Sequence, residues 1–170
     1  YSASEIEVVE DAALARHPFL SKLGPDVLAA GVGEAEVAAR LADPRFARRS
    51  LGALLLDQGF LCGLGNYLRS EILFVARLDP DLRPGELGDG ERRELAEAIV
   101  SIARRAYRMR GITNHPDDVR RLKAEGVPRR QLRHFVFGRD GRPCRLCGET
   151  IARAEHGGRR VYFCPACQAR

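Results

Sequence analysis

The sequence lacks any hydrophobic run long enough to cross a bilayer, and its first residues do not form the basic-then-apolar pattern of an export signal. We therefore expect a soluble, cytoplasmic protein with no membrane partner. The chain begins with tyrosine instead of methionine, so we also expect it to be a piece of something longer. Its 170 residues, 45% of them hydrophobic, suffice for one ordinary core and one small metal-supported unit.

Lysine is scarce, so nearly all of the positive charge is carried by arginine. Residues 1–103 contain 11 basic and 17 acidic side chains, whereas residues 104–170 contain 17 basic and 6 acidic ones. The planar guanidinium suits bidentate phosphate contacts, and a basic C-terminal third is typical of nucleic-acid-binding proteins. The alternative is a solvated surface in a chain that is rich in arginine throughout.

Cysteine is also rare, and four of the five cysteines form one array with the spacing C-x2-C-x16-C-x2-C: Cys144, Cys147, Cys164 and Cys167. Each C-x2-C pair can lie on a tight turn, and the intervening residues suffice for two short strands that bring the pairs together. This pattern predicts one structural Zn²⁺ with four thiolate ligands. Two disulfides are the alternative, but they need an oxidising compartment that nothing else in the sequence indicates.

The periodicity of apolar residues predicts a mainly helical chain. The predicted helices are Glu34–Ala42, a second that begins at Asp43-Pro44 and stops near Gly59, a third from Asn66, a long one over Glu91–Met109, and a short one near Asp117–Ala124. Strands are predicted at Tyr1–Val9, at His134–Phe137 and around the cysteines, with turns at Asp140-Gly141 and Gly157-Gly158. The histidines are scattered, form no ligand pair and are interpreted as incidental.

The start of the helix at Asn66 has the features of an anion site. The first amides of a helix have no intrahelical acceptor, and the preceding Gly63-Leu64-Gly65 allows close approach of a ligand. The Asn66 amide can bind a phosphate oxygen, and Arg69 lies one turn further on. The alternative is that Asn66 only caps the helix.

The stretch Leu54–Leu73 closely resembles the helix-two-turn-helix motif of the formamidopyrimidine-DNA glycosylase and endonuclease VIII family. Other segments resemble the family in the same order: Tyr1-Ser2-Ala3-Ser4, His17-Pro18-Phe19-Leu20, Leu23-Gly24-Pro25-Asp26-Val27-Leu28, Pro44-Arg45-Phe46 and Tyr162–Gln168. The resemblance implies a helix-two-turn-helix domain followed by a small β-hairpin zinc finger, with Tyr1–Val9 as a residual strand of an absent β-sandwich domain. The expected divisions are 1–20 (end of the N-terminal domain and linker), 21–133 (helix-two-turn-helix domain) and 134–170 (zinc finger).

The resemblance also implies roles for individual residues. Asn66 matches the asparagine that binds a phosphate beside the damaged nucleotide, and Arg159 matches the catalytic arginine at the tip of the zinc hairpin. Arg160 is expected to be an adjacent phosphate contact, together with Arg69. Lys22 falls where related enzymes have a basic DNA contact, although it could equally be a solvated lysine.

The sequence departs from the family pattern in two places. The family's N-terminal proline nucleophile and the glutamate after it are absent from these residues. A lysine of the formamidopyrimidine-DNA glycosylase branch is replaced by Gly59, which with Gly65–Arg69 resembles the branch acting on oxidised pyrimidines.

The function implied by the resemblance is base-excision repair of oxidised bases by a bifunctional glycosylase and AP lyase, a bacterial protein associated with the nucleoid. Its expected partner is double-stranded DNA that contains a damaged base or an abasic site. We expect this chain to bind the DNA backbone around the lesion, to be a monomer and to be inactive alone. The alternative is a zinc-dependent nucleic-acid-binding module without catalysis.

Overall fold

The computed structural model describes residues 6–169 and consists mainly of helices. The helices are α1 (Asp11–Leu14), α2 (Glu34–Ala42), α3 (Leu51–Leu54), α4 (Asn66–Val75), α5 (Asp89–Arg108), α6 (Pro116–Ala124) and α7 (Arg129–Leu132), with short 3-10 turns at Leu20–Lys22 and Pro84–Glu86. Two strands follow, β1 (Ala152–His156) and β2 (Arg159–Phe163), paired antiparallel. No helix within the described range is long and apolar enough to span a membrane.

Helix α4 is the centre of the molecule. It packs against α3, α5 and strand β2, and its residues from Leu68 to Phe74 are all buried. Because burial extends around the whole helix, two charged side chains, Arg69 and Glu71, are enclosed along with the apolar ones. A buried charge needs partners that compensate for lost water, so these two residues determine much of what surrounds α4.

Two hydrophobic cores meet at α4. The larger core joins α2, α4 and α5, where Leu95, Ile99, Ile102 and Ala106 face inward as their spacing predicts. The smaller core contains Phe74 of α4 together with Val136, Cys144, Ile151, Tyr162 and Cys164. The zinc-finger segment therefore packs directly on the helix that carries Asn66 at its first position.

Helix α3 begins later than predicted. Asp43 does not start a helix; its carboxylate accepts a hydrogen bond from the Arg45 amide and stabilises a turn instead. The helix begins at Leu51 with Ser50 as its cap, because the amides of Leu51 and Gly52 donate to the carbonyls of Leu82 and Pro80. These long-range contacts fix the start of the helix and are not visible in local sequence.

The predicted strand at His134–Phe137 is wrong. This segment consists of bends and a turn, because the amides of Phe135, Val136 and Phe137 all donate to the Glu71 carboxylate. Three successive amides that converge on one acceptor cannot alternate between neighbouring strands.

The predicted terminal strand at Tyr1–Val9 is described only from Ile6 onward. Residues 6–10 are not in a strand, and Ile6 and Val8 are exposed. A strand requires a hydrogen-bonding partner, and within 6–169 the only paired strands are those of the hairpin. The strand prediction is therefore wrong for residues 6–9, and its first five residues lie outside the described range.

Candidate functional site

The start of α4 leaves the Asn66 side chain free for contacts other than capping. Gly65, in an extended conformation, occupies the cap position, and Asn66 is the first helical residue. Gly63 adopts a φ of 91°, a left-handed conformation that glycine accepts without strain. The chain thus turns sharply into the helix, and the partly exposed Asn66 lies at its beginning.

The Asn66 amide is held in one orientation by two neighbours. Its Nδ2 donates to the Arg160 carbonyl at 3.0 Å, and its Oδ1 accepts from Arg69 at 2.7 Å. Since a primary amide has two N–H donors, one of them remains for a ligand. The helix start and the hairpin therefore come together at this residue.

Arg69 lies inside the protein, which corrects the prediction that it reaches a bound phosphate. Its side chain is 0% exposed, and its two terminal nitrogens donate to five acceptors. These acceptors are the Asn66 amide oxygen and the carbonyls of Gly52, His156, Arg159 and Arg160, at 2.7–3.3 Å. Through these two nitrogens Arg69 joins α3, α4 and the hairpin, whereas its buried Nε has no hydrogen-bond partner among the described residues.

The charge of Arg69 is compensated by dipoles. Burial lowers the pKa of Arg69 to about 10, and the charge of Arg159 contributes in the same direction, so the group remains protonated at neutral pH. No carboxylate within residues 6–169 pairs with it. Four carbonyl oxygens and one amide oxygen replace its lost hydration, so the hairpin backbone must be in place for Arg69 to be satisfied.

The hairpin tip presents Arg159 to solvent. His156 pairs with Arg159 across the turn at Gly157-Gly158, where both glycines have positive φ. The His156 ring lies 3.5 Å from Asp81 and packs so closely on Gly52 that a Cβ there would approach it to 3.0 Å. The tip is therefore held from both sides, and the Arg159 side chain projects from it as an exposed cation.

A cleft of about 540 Å³ separates this tip from the helix-two-turn-helix segment. Arg159 and His156 form one wall, and the ion pair between Arg49 and Asp57 lies on the other. The Asp57 carboxylate also accepts from the Gly59 amide, which fixes the first of the two turns. The cleft thus has an exposed cation at its hairpin side.

The four cysteines form a cluster whose geometry fits one zinc ion. Their sulphur atoms all lie within 4.8 Å of one another, with separations of 3.4 Å (Cys147 to Cys167), 3.5 Å (Cys147 to Cys164) and 3.9 Å (Cys144 to Cys167). A tetrahedron with Zn–S bonds of about 2.3 Å places its sulphurs roughly 3.8 Å apart, whereas a disulfide needs about 2 Å. The four thiolates are the zinc ligands, and they leave no coordination position for a substrate.

A second buried charge links α4 to the start of the zinc-finger segment. Glu71 is fully buried and accepts three amide hydrogen bonds from Phe135–Phe137 at 2.7–2.9 Å and one from the Thr113 hydroxyl. Burial raises the pKa of Glu71, while these four donors oppose the increase. The Thr113 hydroxyl also lies 3.3 Å from His134 Nδ1, so His134 belongs to the same buried network.

The remaining predicted residues lie at different distances from this centre. Arg160 is exposed, and its carbonyl meets Asn66 and Arg69. Lys22 is also exposed but lies beside the turn at Gly59, where its carbonyl would be 3.2 Å from a Cβ. The structure therefore brings Asn66, Arg69, Arg159 and Arg160 together, and Lys22 takes part in none of the hydrogen bonds that join them.

Glu71, His134 and Gln168 hold the site together and were not predicted from the sequence. Gln168 is buried, accepts from the Cys164 amide and donates to the Leu78 carbonyl. A signal existed for Glu71, because a carboxylate between apolar residues of a predicted core helix needs buried donors. No comparable local signal marks His134 or Gln168.

Comparisons with known proteins agree with this geometry. The family described as the formamidopyrimidine-DNA glycosylase H2TH domain matches residues 23–117, and the zinc finger found in FPG and IleRS matches residues 141–170. Endonuclease 8 of Salmonella arizonae is 43% identical over 168 residues, which cover 99% of this chain and 60% of that protein. Endonuclease 8 of Pectobacterium atrosepticum is 41% identical over 172 residues, with 99% and 61% covered.

Solved structures show the same fold. The MutM (Fpg) protein from Thermus thermophilus superposes with a TM-score of 0.72 at 34% identity, covering 91% of this chain and 57% of that one. Lactococcus lactis Fpg in complex with abasic-site-containing DNA superposes with a TM-score of 0.73 at 23% identity, covering 95% and 57%.

The fold and the site define a helix-two-turn-helix protein with a four-cysteine zinc finger. More specifically, the chain belongs to the formamidopyrimidine-DNA glycosylase and endonuclease VIII family, in its endonuclease VIII branch. The chain spans about three fifths of the length of the curated relatives that it matches.

Proposed function

We propose that this chain is the DNA-binding part of a base-excision-repair enzyme. That enzyme is a bifunctional glycosylase and AP lyase that acts on oxidised pyrimidines. The observation that carries the proposal is the junction of Asn66 with the hairpin through Arg69 and the Arg160 carbonyl. It places a free amide donor and an exposed guanidinium at one surface. Such a pair suits two neighbouring oxygens of a phosphodiester backbone.

In the proposed mechanism the chain binds and orients DNA. Asn66 donates to a phosphate beside the damaged nucleotide. Arg159 binds the adjacent backbone, neutralises its charge and acts as the proton donor in the final elimination. The Zn²⁺ held by the four thiolates supplies folding energy and no reaction chemistry, and it fixes the strands that carry Arg159.

Arg160 and Lys22 are proposed as outer phosphate contacts. Both are exposed. Neither is essential to the junction through its side chain, since Arg160 contributes its carbonyl there and Lys22 lies near Gly59. Their loss should weaken binding of damaged and undamaged duplexes equally, because such contacts read charge only.

We also propose a division of labour along the chain. Residues 1–20 are the end of an N-terminal catalytic domain and the linker that joins it to the DNA-binding part. Residues 21–133 form the helix-two-turn-helix domain, and residues 134–170 form the zinc finger. The proline amine that attacks the sugar belongs to the catalytic domain, as the family resemblance implies. The base leaves the stack before that attack, which explains why a firm grip on the backbone is needed.

The test compares binding of an abasic-site duplex by the zinc-loaded chain and two variants. We expect Asn66→Ala and Arg159→Ala each to weaken binding about 10-fold or more, as loss of a charge-assisted hydrogen bond costs roughly 1.5–3 kcal/mol. Arg93→Gln serves as the control, because Arg93 is exposed on α5 outside the junction. Equal affinities for all four proteins would refute the proposal.

A further inference from the structure

A second basic cleft lies beside Tyr67, the residue that follows Asn66. It has a volume of about 310 Å³ and is lined by three arginines that are at least partly exposed, Arg130, Arg133 and Arg142, with His134 and Phe137 at its base. None of the residues that line it is acidic. The function proposed above makes no use of this cleft.

The three arginines differ from those nearby in having no acidic partner. On the adjacent helix α6, Arg120 pairs with Asp117, and Arg121 pairs with both Asp118 and Glu125. Over residues 6–169, by contrast, Arg130, Arg133 and Arg142 form no ion pair. Their positive charge is therefore available to an external anion.

Hydrogen bonds fix one of the three arginines and the loop that forms part of the cleft. Arg133 donates its Nε to the Gly111 carbonyl at 3.1 Å, which directs the rest of its guanidinium. Arg139, which also lines the cleft, is buried and donates to the carbonyls of Phe135 and Pro143. That pair of bonds holds the loop between His134 and Pro143 in shape, so the cleft is a preformed surface of the fold.

The cleft is continuous with the Asn66 site through one residue. Tyr67 follows Asn66, and its ring packs 5.3 Å from the His134 ring and 6.2 Å from the Phe137 ring, centre to centre. His134 and Phe137 both line the cleft, so Tyr67 connects the first turn of α4 to the cleft. Nucleic-acid strands present phosphates at regular intervals, so a second anion site at this position continues the first.

We propose that Arg130, Arg133 and Arg142 bind a further backbone phosphate of the same DNA that the Asn66 site holds. This inference rests on the proposed function. Arginine suits the role because its planar fork matches two phosphate oxygens, and an unpaired cationic cleft favours a polyanion over a neutral ligand. The site adds affinity and register to the complex and reads no base.

The test measures how affinity for an abasic-site duplex depends on salt. Each phosphate contact contributes roughly 0.9 to the slope of log K against log salt concentration. We expect the Arg130→Gln/Arg142→Gln protein to lose about 0.9 of slope per contact removed. Arg130→Lys/Arg142→Lys keeps the charge and should retain the slope, and the control Arg93→Gln should match the unmodified chain.

Phosphate ethylation interference then locates the contact. With the unmodified chain, ethylation at a discrete phosphate beyond the Asn66 contact should block binding, and the double glutamine protein should lose that one position. Both substituted arginines are exposed, and within residues 6–169 their side chains make no hydrogen bond or ion pair, so the melting temperature should not change.

An unchanged slope, or a slope that falls without loss of a discrete ethylation position, would overturn the cleft proposal. The outcome is separable from failure of the proposed function. If the unmodified chain binds DNA and Asn66→Ala weakens it while the double glutamine protein behaves normally, only the cleft fails. If inorganic phosphate binds the chain but DNA does not, both proposals fail.

Discussion

Arg69 carries a buried positive charge that is balanced by carbonyl dipoles from two parts of the chain, α3 and the hairpin. This arrangement makes it a positioning residue for Asn66 and for the hairpin. Its neighbour on the same helix, Glu71, does the same for the loop at Phe135–Phe137 with opposite charge. One helix thus orders two segments through two buried side chains, an arginine and a glutamate.

Replacing Arg69 by methionine should destabilise the protein by at least about 2 kcal/mol, because buried carbonyls left unpaired cost roughly 1–3 kcal/mol each. Arg69→Lys keeps the positive charge but loses the planar guanidinium, so it should destabilise the protein less than methionine does. Urea unfolding of the zinc-loaded proteins, followed by circular dichroism, measures both. A methionine protein as stable as the original would show that the five hydrogen bonds contribute nothing net.

His134 should make stability depend on pH. Burial, with a smaller contribution from Arg133, lowers the pKa of His134 to about 4, against about 6.5 in an unfolded chain. Well above pH 6.5, His134 is neutral in both the folded and the unfolded protein, so it does not change the free energy of unfolding. As pH falls toward 4 the unfolded state takes up a proton first, so the folded state loses stability.

Between pH 7.5 and 5.5 this linkage should remove about 1 kcal/mol of unfolding free energy. The His134→Gln protein should lack that part of the pH dependence. Urea unfolding at the two pH values, with zinc saturating in both, gives the comparison. Identical pH dependence in the two proteins would assign the effect to other groups.

At the scale of elements, the zinc finger and α4 share a hydrophobic core and form one structural unit. Phe74 of α4 lies in the core of the finger, and β2 packs on α4. The metal therefore stabilises the strands that carry Arg159, while the helices upstream have their own larger core. Loss of the metal should therefore unfold the hairpin and leave the upstream helices folded.

Chelation of zinc, or Cys164→Ser, should abolish DNA binding and leave most of the helical circular dichroism intact. The signal at 222 nm comes from helices that lie before residue 133, whereas the hairpin needs the thiolate cluster. Cys62→Ser is the matched control, since Cys62 lies outside that cluster. Undiminished DNA affinity after complete removal of zinc would contradict the role given to the finger.

The long helices were the most predictable elements. Helix α2 has the predicted bounds, α4 begins at the predicted residue, and α5 buries the predicted stripe. Local periodicity sufficed for α2 and α5, because each of these two helices buries one continuous face. The start of α3 and the segment at residues 134–137 were mispredicted because distant partners, Leu82 and Glu71, decide their hydrogen bonds.

At the scale of the whole molecule, the charge is distributed according to the proposed function. Both basic surfaces, the hairpin tip and the arginine cleft, are formed by residues of the C-terminal part and adjoin the start of α4. The acidic N-terminal part supplies the larger core and the framework. The proposed function assigns the catalytic amine to a domain outside these 170 residues.

The chain alone should not form a covalent complex with an abasic-site duplex under borohydride, because trapping requires the amine that attacks the sugar. A version extended at its N-terminus to include the catalytic domain should trap the same duplex. Gel electrophoresis of the two reactions makes the comparison. Efficient trapping by the 170-residue chain would mean that the nucleophile lies within it.

The sequence by itself determined the metal site and the positions of the main helices, because cysteine spacing and apolar periodicity are local properties. It also indicated Asn66 and Arg159 through family resemblance. Only the tertiary structure decided that Arg69 is internal and that Glu71 orders a distant loop. The tertiary structure alone brought together Arg130, Arg133 and Arg142, which form no ion pair within residues 6–169, because the neighbours of a charged side chain come from segments far apart in the chain.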